Sequence, residues 1–180
     1  MKRKGKVAND TDILDEQEQE EVLSTIRQDV ERQIANARKY VHWTLLLLCV
    51  MMMTCLIYSA RFPLEMEHQA HFRGKVPHWC FQIYYFGSGL CLFCTGLVAK
   101  LGHRSTPTSI KIVSVLLAVG TSIFWVVVFA LHEVTVPQLY WLPLINPGSI
   151  LLALYIDRDA EYLRKDVDRL ENSRYQHKTI

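Results

Sequence analysis

The sequence predicts an all-α membrane protein: a four-span transmembrane helical bundle with an amphipathic cytosolic helix at each end. Three observations carry the prediction. Charged residues make up 21% of the chain but crowd into 1–39 and 157–178. Between those segments lie long apolar runs broken by short polar loops. Both charged segments place apolar residues three or four positions apart, the spacing of one helix face.

The elements follow in order. Residues 1–11 are expected to form a disordered basic tail, where Lys2, Arg3, Lys4 and Lys6 can meet anionic lipid. Residues 12–40 are predicted as a helix, with Leu23, Ile26, Val30, Ile34 and Ala37 on one stripe. This helix is acidic from Asp12 to Glu21 and basic at Arg27, Arg32, Arg38 and Lys39, an order that complements the helix dipole. Span one is placed at 41–60, with Tyr40, Trp43 and Tyr58 where an interfacial aromatic belt would lie. The first apolar run starts near Val41, too late for a signal peptide of about 15–30 residues. Span one is therefore expected to act as its own insertion signal.

Residues 61–78 read as a polar loop containing Pro63, Gly74 and Pro77. Span two is placed at 79–99 and span three at 110–131, with a short polar loop between them. At about 1.5 Å per residue, each of the first three spans can cross a hydrocarbon core of roughly 30 Å. Span four, 139–156, is shorter and contains Pro143, Asn146, Pro147 and Gly148. Proline removes a backbone donor and its ring clashes with the preceding turn. A kink or break is expected there, a re-entrant segment being the other option. Residues 157–180 are expected to form a cytosolic helix and tail. Ile156, Ala160, Leu163, Val167 and Leu170 follow a heptad seam, as in a coiled coil.

Charge sets the expected orientation. Arg27, Arg32, Arg38, Lys39, Lys100, Arg104, Lys111, Arg158, Arg164, Lys165, Arg169, Arg174 and Lys178 fall on one side of the four spans. Only Arg61, Arg73 and Lys75 fall on the other. Both termini are therefore expected in the cytosol, which requires an even number of spans.

No enzyme is predicted. The spans are read as free of Asp, Glu, Lys, Arg and His, which argues against proton relays, ion pathways and intramembrane hydrolysis. His42 and Lys111 stand inside the stated bounds of spans one and three and are exceptions taken up below. Gln82 and Asn146 are the strongly polar side chains of the spans. The net charge of +2 shows no concentrated basic face for nucleic acid. Five cysteines, an odd and largely intramembrane set, make no disulfide framework, and Cys91-Leu92-Phe93-Cys94 reads as helix packing rather than redox chemistry. No cofactor and no metal are expected. His68, His71 and His78 on the first loop are the letters that could ligate zinc or titrate in an acidic lumen, but their spacing fits no tight zinc signature. Adjacent His132 and Glu133 read as solvated end groups of span three.

Small residues point to helix packing. Gly87 and Cys91 on span two, and Ser114, Ala118 and Ser122 on span three, are expected to bring those spans together. Leu23, Ile26, Val30, Leu163, Val167 and Leu170 on the terminal helices are the expected partner-binding positions, for another protein or for self-association.

The chain resembles the transmembrane protein 128 family. The residues that carry the resemblance are His78-Trp79-Cys80, Gly87-Ser88-Gly89-Leu90 and Ala130-Leu131-His132, within 40–156. The terminal amphipathic helices depart from that pattern. The resemblance implies a small four-span protein of the endoplasmic reticulum, with no enzyme activity and no functional residues to carry over. Lys178, third from the C-terminal end, is also reminiscent of a dilysine retrieval signal, with His177 where a second lysine would stand.

The function expected is that of a non-enzymatic subunit or adaptor of an endomembrane complex, working through its cytosolic helices. A lipid- or small-molecule-handling protein using the break at Asn146 is the alternative, and a zinc- or pH-sensing histidine loop a further one. The topology has a direct check. Asn9-Asp10-Thr11 is a glycosylation sequon that stays unused if the N-terminus is cytosolic. The chain isolated from a eukaryotic membrane should show no glycosidase-sensitive shift on a gel, and such a shift would reverse the orientation.

Overall fold

The computed structural model describes residues 16–63, 65–70, 72–102, 104–132, 139 and 141–176. The expected tail 1–11 lies outside them. Among the described residues the α-helices are α1 (Glu16–Arg61), α2 (Glu67–Ala70), α3 (His78–Leu101), α4 (Thr108–His132) and α5 (Trp141–Gln176), and there is no strand.

From Glu16 on, the expected helix 12–40 and span 41–60 are not separate elements. They form one helix of 46 residues, because no glycine or proline occurs between Glu16 and Arg61 to end it. At 1.5 Å per residue α1 is about 69 Å long, over twice the thickness of a hydrocarbon core. The segments Gln19–Arg61, His78–Leu101 and Thr108–Leu131 are long and apolar enough to cross a membrane, which marks the chain as a membrane protein. The apolar part of α5 does not join that set. It runs only from Trp141 to Ile156 before Asp157, and its proline, asparagine, glycine and serine dilute it.

Helix α3 lies at the centre and touches α1, α4 and α5. Gly89 and Gly96, seven residues apart, bring it close to α1. A Cβ at Gly89 would stand 2.5 Å from Met53 Cε, and one at Gly96 would stand 3.5 Å from His42 Nδ1. The buried His42 places Nδ1 2.8 Å from the Gly96 carbonyl. A carbonyl only accepts, so this nitrogen carries the proton. His42 thus corrects the reading of spans free of ionisable groups, and so does the half-buried Lys111 in the first turn of α4.

On its other side α3 meets α4. The Thr95 and Ser114 hydroxyls are 2.7 Å apart, and Cys91 Sγ donates to the Ser114 carbonyl at 3.4 Å. Gly87 faces Thr121, and Ala118 is buried. The Ser122 hydroxyl reaches α5, at the Pro143 carbonyl.

The expected break at Pro143, Asn146, Pro147 and Gly148 is not present: α5 is helical throughout Trp141–Gln176. Pro143 is the third residue of α5, where an amide has no partner within the helix in any case. Pro147 lacks the N–H that would bond the Pro143 carbonyl. Ser122 replaces it, with Oγ 2.7 Å from that carbonyl and 2.8 Å from its own Ala118 carbonyl. Tyr84 Oη donates to the Leu142 carbonyl at 3.1 Å, and Ser149 Oγ to that of Asn146 at 2.7 Å. The Asn146 amide donates to Ser88 Oγ at 2.9 Å and to Thr121 Oγ1 at 2.8 Å. Ser122 of α4 thus supplies what Pro147 removes, and Tyr84, Ser88 and Thr121 of α3 and α4 hold the same turn of α5 in place.

The first loop is less solvated than its composition suggests. Gln69, Phe72 and Val76 are buried at the end of the bundle. The Phe72 ring centre lies 5.7 Å from that of Phe81 and 5.5 Å from that of Trp125, spacings that favour aromatic pairs. Gln69 Nε2 donates to Ser59 Oγ at 3.0 Å and to Tyr85 Oη at 2.9 Å, which pins the loop to α1 and α3.

The repair at Pro147 is testable. Ser122→Ala leaves the Pro143 carbonyl without its donor and should lower stability in detergent by about 1 kcal/mol. Ser122→Thr, which keeps the hydroxyl, should lose less. An unchanged melting temperature for Ser122→Ala would show that the carbonyl does not depend on Ser122.

Candidate functional site

Beyond the apolar bundle, the charged halves of α1 and α5 lie side by side and antiparallel. Three rungs of ion pairs join them. Arg38 pairs with Asp157 at 2.7 Å, Glu31 with Arg164 at 2.7 Å, and Arg27 with Asp168 at 3.5 Å. Seven residues from Arg38 to Glu31 on α1 match seven from Asp157 to Arg164 on α5. The next four, to Arg27, match four to Asp168. The rungs therefore keep heptad spacing without slippage, and the pair forms a two-helix stalk.

The sign of charge alternates along each helix, and that fixes the register. A slip of one heptad would set Arg38 against Arg164 and Glu31 against Glu171 in one direction. In the other it would set Glu31 against Asp157. Like charges disfavour both alternatives.

An apolar seam lies beneath the rungs. Ile34, Ala160 and Val167 are buried, and Leu23, Val30 and Leu163 are half-buried. Ile26 and Leu170 remain exposed, as does Val22, at 37%, 52% and 46% of their full surface. The six expected partner-binding residues are thus divided. The stalk's own packing covers Val167 and partly covers Leu23, Val30 and Leu163, while Ile26 and Leu170 stay open.

The base of the stalk is tied to the bundle through Arg38. Its pair with Asp157 is the most enclosed rung, with side chains 21% and 15% exposed. Gly102, which ends α3 with φ at +80°, lies against the same guanidinium. A Cβ there would stand 2.8 Å from the Arg38 terminal nitrogens, and the positive φ itself favours glycine. Arg104, in the α3–α4 turn, adds a more exposed pair to Glu161 at 2.9 Å. The φ of Gly102 and the Arg38 contact were not foreseen from sequence. A glycine directly after the last apolar residue of a helix is the signal that was there to read.

The other sequence candidates stand elsewhere. Asn146 is 1% exposed and both its amide protons join it to neighbouring helices, while its Oδ1 is buried without a hydrogen-bond partner among the described residues. His78 is exposed at the start of α3. His71, Glu133 and the side chains of His68 and His132 lie outside what the structure describes. Among the described residues, no three His, Cys, Asp or Glu side chains stand close enough to hold a metal ion. All five cysteines are free thiols.

Glu31 gives the stalk a pH dependence. Hydrogen bonds from Arg164 to both carboxylate oxygens, at 2.7 and 2.8 Å, hold its pKa below the ordinary glutamate value. A lowered folded-state pKa means that the stabilisation is fully present above about pH 4.3 and lost as pH falls through the folded value. Both side chains are about half exposed, so after screening the pair contributes only about 0.5 kcal/mol. Glu31→Gln should lose this increment at neutral pH. It should also flatten the acid limb of thermal stability followed by helical circular dichroism. Parallel acid limbs in the two proteins would place the pH dependence elsewhere.

No protein-family model, curated protein or solved structure matches this chain.

Proposed function

We propose that this chain is a non-enzymatic, four-span protein of an endomembrane, with the endoplasmic reticulum the favoured site, and that it acts as a subunit or adaptor through its stalk. The observation that carries the reading is the division of the stalk. Its two helices bury Ile34, Ala160 and Val167 and join through three charged rungs, and an apolar remainder stays exposed next to the Arg27–Asp168 rung.

The stalk also supports four crossings. Its two strands are the far ends of the chain, and they lie side by side on one side of the bundle. An even number of crossings brings them there, and the apolar half of α5 supplies the fourth. That half is about 24 Å long, close to a hydrocarbon core, and its polar atoms face α3 and α4 through Asn146 and Ser149. The charge count favours the cytosol for this side. Residence in the endoplasmic reticulum rests on the resemblance to the transmembrane protein 128 family and on Lys178.

A partner of this stalk would rest an apolar surface on Ile26 and Leu170. Both are exposed, so charging them disturbs neither the seam nor the rungs. The doubly substituted Ile26→Asp, Leu170→Asp chain should insert normally and lose the protein that co-purifies with the parent from gently solubilised membranes. Substituting Val167 would be a poorer test, because that residue is buried inside the stalk. If the double variant retains every partner of the parent chain, the stalk is not the contact.

A further inference from the structure

At the base of the stalk a cavity of about 660 Å³ opens between α1, the α3–α4 turn and α5. Its wall carries more cations than carboxylates. Arg38 and Arg104 are paired with Asp157 and Glu161, which also line the wall, Arg164 is held by Glu31, and the third wall carboxylate, Asp168, pairs with Arg27. Arg158 and Lys165 remain, and among the described residues neither joins an ion pair. Both rest against Tyr162, at 5.5 and 6.0 Å from its ring centre. Arg158 Nη2 also donates to the Tyr162 hydroxyl at 3.0 Å. Two cations of the cavity wall are thus held by a tyrosine and not by a carboxylate, an arrangement that an anion can outcompete.

Directly on the membrane side lies a different surface. A groove of about 120 Å³ runs between α4 and α5 over α3, with Val98, Val115, Ile150 and Ala153 along it and Thr95, Ser114 and the half-buried Lys111 also in its wall. Leu154 lines both the groove and the basic cavity. Val115 and Leu154 are partly exposed, so the groove is open to the side where lipid would stand.

We propose that cavity and groove together bind an anionic glycerophospholipid. Arg158 and Lys165 take its phosphate, and the start of an acyl chain follows Leu154 into the groove. A small soluble anion makes no use of the groove. A zwitterionic lipid carries no net charge to match the two unpaired cations. The inference needs only that the apolar half of α5 lies in the bilayer, and it is independent of any protein partner.

The test uses the full chain in mild detergent, with bound lipid counted by native mass spectrometry. The probes are dioctanoyl phosphatidic acid, dioctanoyl phosphatidylcholine and inorganic phosphate. Phosphatidic acid should bind at least about tenfold more tightly than phosphatidylcholine. Arg158→Gln with Lys165→Gln should weaken it roughly thirtyfold, at about a factor of five for each charge removed. Both positions are exposed, and helical circular dichroism checks that the fold is kept. Leu154→Trp, which fills the groove without changing charge, should also weaken phosphatidic acid binding. Equal binding of the two lipids would overturn the proposal. So would a charge-removed variant that binds phosphatidic acid as well as the parent, or a Leu154→Trp variant that binds it unchanged. Displacement of phosphatidic acid by an equal concentration of inorganic phosphate would show a site for a free anion and overturn the assignment to lipid.

Discussion

Helix α5 leaves the Pro143 carbonyl without a donor from its own backbone. The proton that would satisfy it is missing because residue 147 is proline. Ser122 of α4 reaches across to that carbonyl, Tyr84 of α3 supports the one before it, and Asn146 ties both neighbouring helices to the same turn of α5. The continuity of α5 is therefore a property of three helices together. Without it, Asp157 and Arg164 would not be carried out of the bundle on one axis, and the rungs of the stalk would not meet α1 in register.

The second long axis is α1, fixed by a different means. Close approach at Gly89 and Gly96 sets it against α3, and His42 donates into the Gly96 carbonyl just where the helix leaves the apolar region. Four residues earlier, Arg38 turns toward Gly102 and Asp157. One turn of α1 thus binds the end of α3 with its histidine and the start of the stalk with its arginine. Membrane bundle and stalk are joined by direct side-chain contacts.

Ion pairs as exposed as those of the stalk add little stability individually. Their value here lies in order. Alternating signs on each helix penalise a one-heptad slip in either direction, which the narrow apolar seam of Ile34, Ala160 and Val167 would not do strongly by itself. The same arrangement leaves Arg158 and Lys165 outside the ion pairs of the described residues, and the groove between α4 and α5 begins at Leu154.

The sequence by itself determined that the chain is helical, that it has apolar segments fit for a membrane, and that its ends are amphipathic. Those properties are periodic or compositional and need no partner to be read. It also marked Pro143, Asn146, Pro147 and Gly148 as unusual, but propensity points there to a break. Only the tertiary structure decided otherwise, because Ser122, Tyr84, Ser88 and Thr121, which hold this turn of α5, lie 21 to 58 residues from their partners in it. The partner-binding stripe was legible as a stripe. That most of it packs against the other end of the chain was not, since the match of Arg38, Glu31 and Arg27 with Asp157, Arg164 and Asp168 spans more than a hundred residues. Local spacing reveals which face of a helix is apolar. What covers that face depends on where the other helices go.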